Sequence, residues 1–223
     1  RESSPQLHSA FLSGLVESGV HVYDLGIVPT GTMYHATHVL DVDGGVMITA
    51  SHNPPEYNGF KMNKGSSAMA GESIQELLEV FLQSKFKAGE GSISKKNILE
   101  NHIDTIINSL EMPKRRLNVA IDCGNAVAGP AMLDLFNNLE VDTVPIFCDW
   151  DNQFPNHPPD PTRIENMQHL ADVVRENNCD FGIGIDGDGD RVGLVDEKGN
   201  FIHPDKMLAL FAIDILKKNA NLS

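Results

Sequence analysis

At 223 residues the chain has room for one large domain or for two of about 110 each, and its 41% hydrophobic residues supply a core. The 17 Lys and Arg against 31 Asp and Glu leave a formal charge of -14, which favours solubility and argues against nucleic acid or an anionic membrane as a partner. An anionic ligand would therefore need local positive charge, from a metal, from a few placed Arg or Lys, or from helix N-termini.

In chain order, Pro5 to Ser18 reads as a helix, with Leu7, Ala10, Phe11, Gly14 and Leu15 on one face and Gly19 as the stop. Val20 to Leu25 reads as a short strand. Pro29 opens a turn, and a helix runs through Ala36 to Leu40. Gly44 to Thr49 is a strand that ends at Ser51. Ser73 is expected as an N-cap with Glu76 in the capping-box position, ahead of a helix to about Phe86. A further helix spans Leu99 to Leu110, and Met112-Pro113 marks a boundary. Alternation then resumes: strand Leu117–Asp122, helix Gly129–Leu139, strand Val141–Phe147, and a proline-rich loop from Phe154 to Pro161. Helix Met167–Glu176 follows, then strand Phe181–Ile185, its hairpin partner Arg191–Asp196, and helix Asp205–Leu216. Helices that regularly separate apolar strands predict an α/β fold: two consecutive three-layer α/β/α domains with mostly parallel mixed sheets, over residues 1–113 and 114–223.

Cys123, Cys148 and Cys179 are widely spaced, odd in number and without metal-ligand rhythm, so they read as ordinary buried or semi-buried thiols of a reducing compartment. No stretch approaches the ~20 apolar residues that cross a bilayer. No signal peptide is visible, which suits the cytoplasm. The chain opens on Arg1 without an initiator Met, so an upstream segment is expected. The glycosylation-type triplet Asn221-Leu222-Ser223 reads as incidental.

Two runs carry chemistry, and both begin where a strand ends, which is where open α/β sheets bind ligands. The first is Thr49-Ala50-Ser51-His52-Asn53-Pro54. Proline restricts the residue before it and offers no N–H, so the chain leaves the sheet sharply and presents the Ser51 hydroxyl at the sheet's edge. His52 and Asn53 are placed to hydrogen-bond a phosphate on that serine. Asn58-Gly59 is a turn that brings Lys61 back toward the same region. From local sequence alone, a Ser/Asn/Pro loop without chemistry stays open, as does a solvated Lys61. The pattern of a serine-hydrolase elbow is missing.

The second run is Asp186-Gly187-Asp188-Gly189-Asp190-Arg191. Carboxylate oxygens suit Mg²⁺ or Ca²⁺. The glycines let three carboxylates converge on one ion, and without a cation three such charges would repel. Counted as an EF-hand loop, the run has Asp at positions 1, 3 and 5 and Glu197 at 12, but Arg191 stands where glycine is needed and the flanks read as strands. A metal-free acidic turn remains the alternative. Arg191 either binds substrate phosphate or braces the loop. Elsewhere, Asp122-Cys123-Gly124-Asn125 reads as a packing turn or as support for a metal loop, and the 156–161 loop, with His157, as surface or interface.

Taken together the residues resemble the α-D-phosphohexomutase family, the phosphomannomutase/phosphoglucomutase group. Thr49–Pro54 is similar to its phosphoserine motif, Asn58-Gly59-Phe60-Lys61 to the lysine segment after it, and Asp186–Arg191 to its magnesium loop. Arg1–Pro5 resembles the end of an N-terminal Arg/Ser motif, and Phe154–His157 with Asp160-Pro161 a second-domain loop. The resemblance implies that Ser51 carries the catalytic phosphoryl group, and that Asp186, Asp188 and Asp190 hold Mg²⁺ with a phosphoserine oxygen of Ser51. It further implies that Lys61 assists proton transfer, that Arg1 and Arg191 act around the phosphoryl group, and that His52 and Asn53 support it. It implies a phosphorylated hexose as substrate, mannose or glucose, and glucose 1,6-bisphosphate or an equivalent hexose bisphosphate as activator. The chain matches most of the first and nearly all of the second of the family's four domains, so the first strand and the C-terminal domains are expected to be missing and the chain alone to be inactive. Pro29-Thr30-Gly31 and Gly124-Asn125-Ala126 depart from the family's usual Pro-Thr-Pro and Gly-Asn-Gly. A phosphoserine-dependent sugar phosphatase and a non-catalytic module for divalent metal are the alternatives.

Overall fold

The computed structural model describes residues 1–84 and 86–219, so the Asn221 triplet lies outside the described residues. The chain forms two compact units, Arg1–Leu110 and Glu111–Ser223.

In the first unit α1 (Ser4–Glu17) leads to β1 (His21–Asp24), α2 (Thr30–Val39), β2 (Gly44–Ile48), β3 (Phe60–Lys64), β4 (Ser67–Ala68), α3 (Glu72–Gln83), β5 (Ser92–Lys95) and α4 (Leu99–Ser109). Pro5 sits in the first turn of α1, where its missing N–H costs nothing. β1 pairs with β5 in parallel. β2, β3 and β4 form an antiparallel sheet, with Met47 opposite Lys61. The chain between β2 and β3 holds no helix, and a strand that returns without a long crossover must run antiparallel. α2 packs on β2 closely enough that a Cβ on Gly45 would lie 2.7 Å from both Met33 Sδ and Thr37 Cγ2. Met33 and Ala36 of α2 are buried, as are Ile98 and Ile103.

The second unit runs β6 (Asn118–Asp122), α5 (Ala128–Asn138), β7 (Asp142–Ile146), a 3₁₀ turn (Ile164–Met167), α6 (Gln168–Glu176), β8 (Phe181–Ile185), β9 (Val192–Val195), β10 (Phe201–Ile202) and α7 (Pro204–Lys218). Its sheet order is β10-β9-β8-β6-β7. β6 is parallel to β7 and β8, and β9 and β10 are added antiparallel. Side chains alternate across β6. Val119 and Ile121 join Cys123, Ala128, Val141, Cys148 and Ile185 in one apolar cluster. Ala120 joins Met167, Leu170, Ala171, Val174, Cys179 and Val195 in the other. α5 and α6 therefore cover opposite faces of one sheet. Each fully buried Val or Ile of β6 contributes about 1.5–3 kcal/mol relative to exposure.

One local expectation fails. α3 starts at Glu72, with Gly71 (φ 56°) ahead of it, so Ser73 lies inside the helix. The Ser73 hydroxyl turns back to Ala70, accepting its N–H and donating to its carbonyl. The helix ends at Gln83, short of Phe86, with Ser84 left-handed. All three cysteines are free and buried. Among the described residues no helix is long and apolar enough to cross a membrane.

Candidate active site

The serine run occupies the connection between β2 and β3. Ser51 is 8% exposed and takes φ 50°, a left-handed backbone that costs a non-glycine residue about 1 kcal/mol. Local bonds hold it there. The Ser51 N–H donates to Thr49 Oγ1 at 2.9 Å, and the Asn53 N–H donates to the Ala50 carbonyl at 3.0 Å. The Arg1 guanidinium donates to the Ser51 carbonyl. His52 Nδ1 lies 3.4 Å from Ser51 Oγ, at the outer limit of a hydrogen bond. Asn53 is exposed.

Lys61 enters through β3. The Thr49 N–H donates to the Gly59 carbonyl at 2.9 Å and extends the β2–β3 pairing to the foot of the serine run. A Cβ on Gly59 would stand 3.1 Å from the Thr49 carbonyl oxygen, a tight contact that glycine avoids. Asn58 is a part the sequence reading took only as a turn. Its Nδ2 donates to the Ser3 and Ser4 hydroxyls at 3.0 and 2.9 Å, and its Oδ1 accepts the Gly59 N–H at 2.9 Å. One amide thus ties the segment bearing Arg1 to the strand bearing Lys61. The signal was Asn before Gly beside two serines, but the pairing spans more than 50 residues and leaves no local pattern.

The aspartate run joins β8 to β9. Asp186 is fully buried; its Oδ1 accepts the N–H groups of Asp190 and Arg191, each at 2.9 Å. Its own N–H donates to the Arg191 carbonyl at 3.2 Å, and its carbonyl accepts the Gly189 N–H at 3.1 Å. Gly189 (φ 77°) makes the return, where a side chain would be strained. Asp186, Asp188 and Asp190 thereby offer ligand oxygens that all lie within 4.8 Å of one another. Asp188 is 3% exposed and Asp190 is exposed, so the cluster opens to solvent on one side. An all-oxygen donor set with two buried carboxylates fits a hard divalent cation. The flanking strands exclude an EF-hand. Arg191 is exposed, beside the carboxylates along the chain.

The Asp122 turn, read as packing or as support for a metal loop, meets His157, which was expected at a surface or interface but is largely buried because it pairs with Asp122. Asp122, at the end of β6 and 2% exposed, accepts the Gly124 N–H at 2.8 Å and faces His157 Nε2 at 3.0 Å. Burial works to lower the His157 pKa, but the Asp122 carboxylate and the Pro158 carbonyl outweigh it and hold the pKa above the ordinary 6.5. Cys123 and Cys148 pack side by side in the core. The nearness of Cys148, burial and the Asp122 charge push the Cys123 thiol well above its ordinary value.

These elements define a two-unit α/β protein with a conformationally held serine at one strand end and a carboxylate loop at another. The family description "Phosphoglucomutase/phosphomannomutase, alpha/beta/alpha domain I" matches residues 1–88, and its domain II counterpart matches residues 100–199. The chain is 43% identical over 219 residues to a phosphomannomutase/phosphoglucomutase of Pseudomonas syringae, covering 98% of this chain and 47% of that protein. It is 42% identical over 221 residues to a phosphoglucomutase of Neisseria gonorrhoeae, covering 98% and 48%. A crystal structure of a phosphoglucomutase/phosphomannomutase family protein from Burkholderia thailandensis superposes with a TM-score of 0.92 at 38% identity, over 96% of this chain and 48% of that one. The chain belongs to the phosphoglucomutase/phosphomannomutase family, whose domains I and II it carries. It spans about half the length of the relatives it matches.

Proposed function

We propose that the full-length protein interconverts hexose 1-phosphate and hexose 6-phosphate, with mannose or glucose as the sugar, through a phosphorylated Ser51 and a hexose 1,6-bisphosphate intermediate. The observation that carries this reading is Ser51 itself, held left-handed at a strand end with Arg1 on its carbonyl and His52 beside its hydroxyl. Residues 1–113 form the phosphoserine-bearing domain and residues 114–223 the magnesium-loop domain.

In the first half-reaction the phosphoryl group leaves Ser51 Oγ for the free hydroxyl of a hexose 1-phosphate. The P–O bond to serine breaks, the P–O bond to the sugar forms, and the sugar hydroxyl's proton passes to a base, for which Lys61 is the candidate. The bisphosphate then turns around. In the second half Ser51 Oγ attacks the other phosphate as nucleophile while a base relieves its proton; the P–O bond from that phosphate to the sugar breaks, the sugar oxygen takes up a proton, and hexose 6-phosphate is left. Arg1 fixes the serine backbone, and His52, Asn53 and Arg191 bind phosphate oxygens. Asp186, Asp188 and Asp190 would hold Mg²⁺, which offsets charge on the transferring group and the serine oxygen. A phosphoserine adds roughly -1.5 to -2 charges, which raises the need for that cation. Glucose 1,6-bisphosphate would prime the enzyme by phosphorylating Ser51. The buried free thiols suit a cytoplasmic setting, and the acidic charge leaves nucleic acid and membranes out of the partner set.

The test is a coupled assay of the full-length protein with glucose and mannose 1-phosphates. Hexose 6-phosphate formed by wild type and not by Ser51→Ala supports the reading. Inorganic phosphate released at the rate of sugar turnover would identify a phosphatase instead, since water would then be discharging the phosphoserine.

A further inference from the structure

His157 answers to a different demand from the carboxylates themselves. Its Nε2 lies 3.0 Å from Asp122 Oδ2, and its Nδ1 lies 2.8 Å from the Pro158 carbonyl oxygen. A carbonyl only accepts, and so does an ionised carboxylate that already takes the Gly124 N–H. A ring that carries hydrogen on both nitrogens, an imidazolium, satisfies both contacts at once. Both side chains of the pair are largely sealed from water, His157 at 13% exposure and Asp122 at 3%. The Phe147 ring meets His157 edge-on at 5.5 Å.

The segment that follows His157 reaches the carboxylate loop. Pro159 is fully buried and packs so closely on the turn after β6 that a Cβ on Gly124 would lie 2.9 Å from Pro159 Cβ. The Pro159 carbonyl accepts the Gly187 N–H at 3.1 Å, and Gly187 is the link between Asp186 and Asp188. Pro161 lies against Gly184 and Gly193, on the two strands that flank the loop.

We propose that His157 is a positioning residue for the metal loop: its imidazolium ties residues 157–161 to Asp122, and the Pro159 carbonyl then fixes Gly187 so that Asp186 and Asp188 stand at the spacing a divalent cation needs. This rests on the reading of Asp186, Asp188 and Asp190 as a cation site. Among the described residues, Asp122 on β6 and His169 on α6 are the titratable side chains that face His157, with ring centroids 6.4 Å apart for the two histidines. Asp160, on its own loop, is engaged by Thr162 and Arg163. The brace is complete below the ordinary imidazole pKa of 6.5 and is lost as pH rises through the raised value in the folded protein.

The test is Mg²⁺ titration by calorimetry on the full-length protein between pH 6 and 9, comparing wild type, His157→Gln and Asp188→Asn. Expected is roughly a 10-fold weaker affinity in His157→Gln at pH 6.5, the size typical of losing an outer-shell partner. The wild-type affinity should fall toward that of the variant as pH rises, while the variant stays flat. Equal affinity and equal pH profile in wild type and His157→Gln, with binding abolished by Asp188→Asn, would overturn the proposal and leave the cation site standing. Binding unaffected by Asp188→Asn would overturn both. Should His157→Gln not fold, the ¹⁵N shifts of the wild-type His157 ring at pH 6, below the ordinary 6.5, decide: two protonated nitrogens support the brace, and a neutral tautomer refutes it.

Discussion

Replacing Asp188 by Asn should stabilise the metal-free protein and remove the stabilisation that Mg²⁺ gives wild type. The carboxylates of Asp186, Asp188 and Asp190 offer oxygens within 4.8 Å of one another. Two unit charges at that distance repel by about 0.9 kcal/mol at the dielectric of water and about 3.5 kcal/mol at an effective dielectric of 20. Asp190 is exposed, so its pair with Asp188 lies near the lower figure; Asp186 and Asp188 are both buried, so theirs lies nearer the higher. Neutralising Asp188 should therefore relieve about 2–4 kcal/mol in metal-free protein at pH 8. Wild type recovers about 2.7 kcal/mol at Mg²⁺ a hundredfold above its dissociation constant, and Asp188→Asn should gain almost nothing. Amide hydrogen exchange of β8 and β9 in the full-length protein reads the local opening free energy of the strands that carry the loop. The reasoning fails if Asp188→Asn exchanges faster than wild type in EDTA, or if Mg²⁺ protects both equally.

Gly129→Ala should destabilise the second unit by about 1–3 kcal/mol, because its Cβ would stand 1.9 Å from the Cys148 carbonyl oxygen, a backbone atom that cannot swing away; an unchanged melting temperature would contradict that packing. The Cys123 thiol is held above its ordinary pKa by the adjoining Cys148 thiol, by burial and by the Asp122 charge, and the Cys179 thiol by burial and the Asp180 charge. In native protein at pH 8 Cys123 and Cys179 should therefore react slowly with a disulfide reagent and fully only after denaturation, and fast labelling of Cys123 would count against the buried assignment. Asp180 is held below the ordinary 3.8 by the Asn118 N–H and by Arg115, which donates to both its oxygens at 2.8 Å. That contribution is full above 3.8 and disappears as pH falls through the lower folded value. Arg115→Ala should raise the Asp180 pKa measured by NMR, and no change would show that the pair is not formed in solution.

Much of the second unit was legible because its strands are apolar and short and its helices fall between them. Val119, Ala120 and Ile121 are fully buried, and a strand buried on both faces reads as a continuous apolar run. The first unit hid more. β3 (Phe60-Lys61-Met62-Asn63-Lys64) is polar and partly exposed and β5 (Ser92-Ile93-Ser94-Lys95) is exposed throughout, so they carry no strand pattern and exist through their pairing with β2 and β1. β10 has only two residues, too few for any period. The Ser73 capping box misled because Gly71, at positive φ, opens the helix two residues earlier. Of the candidate site, the serine and aspartate runs are contiguous and could be read directly. The Asn58 clamp and the Asp122–His157 pair join residues 54–55 and 35 positions apart, and nothing local announces such contacts.

The phosphoryl carrier can be weighed directly. Full-length protein, folded and loaded with Mg²⁺, is incubated with glucose 1,6-bisphosphate, and its intact mass is compared with that of Ser51→Ala treated alike. Wild type should gain one phosphoryl group, mapped to Ser51, that the variant does not gain. An unmodified wild type, or a variant that gains the same mass, would contradict the assignment of Ser51.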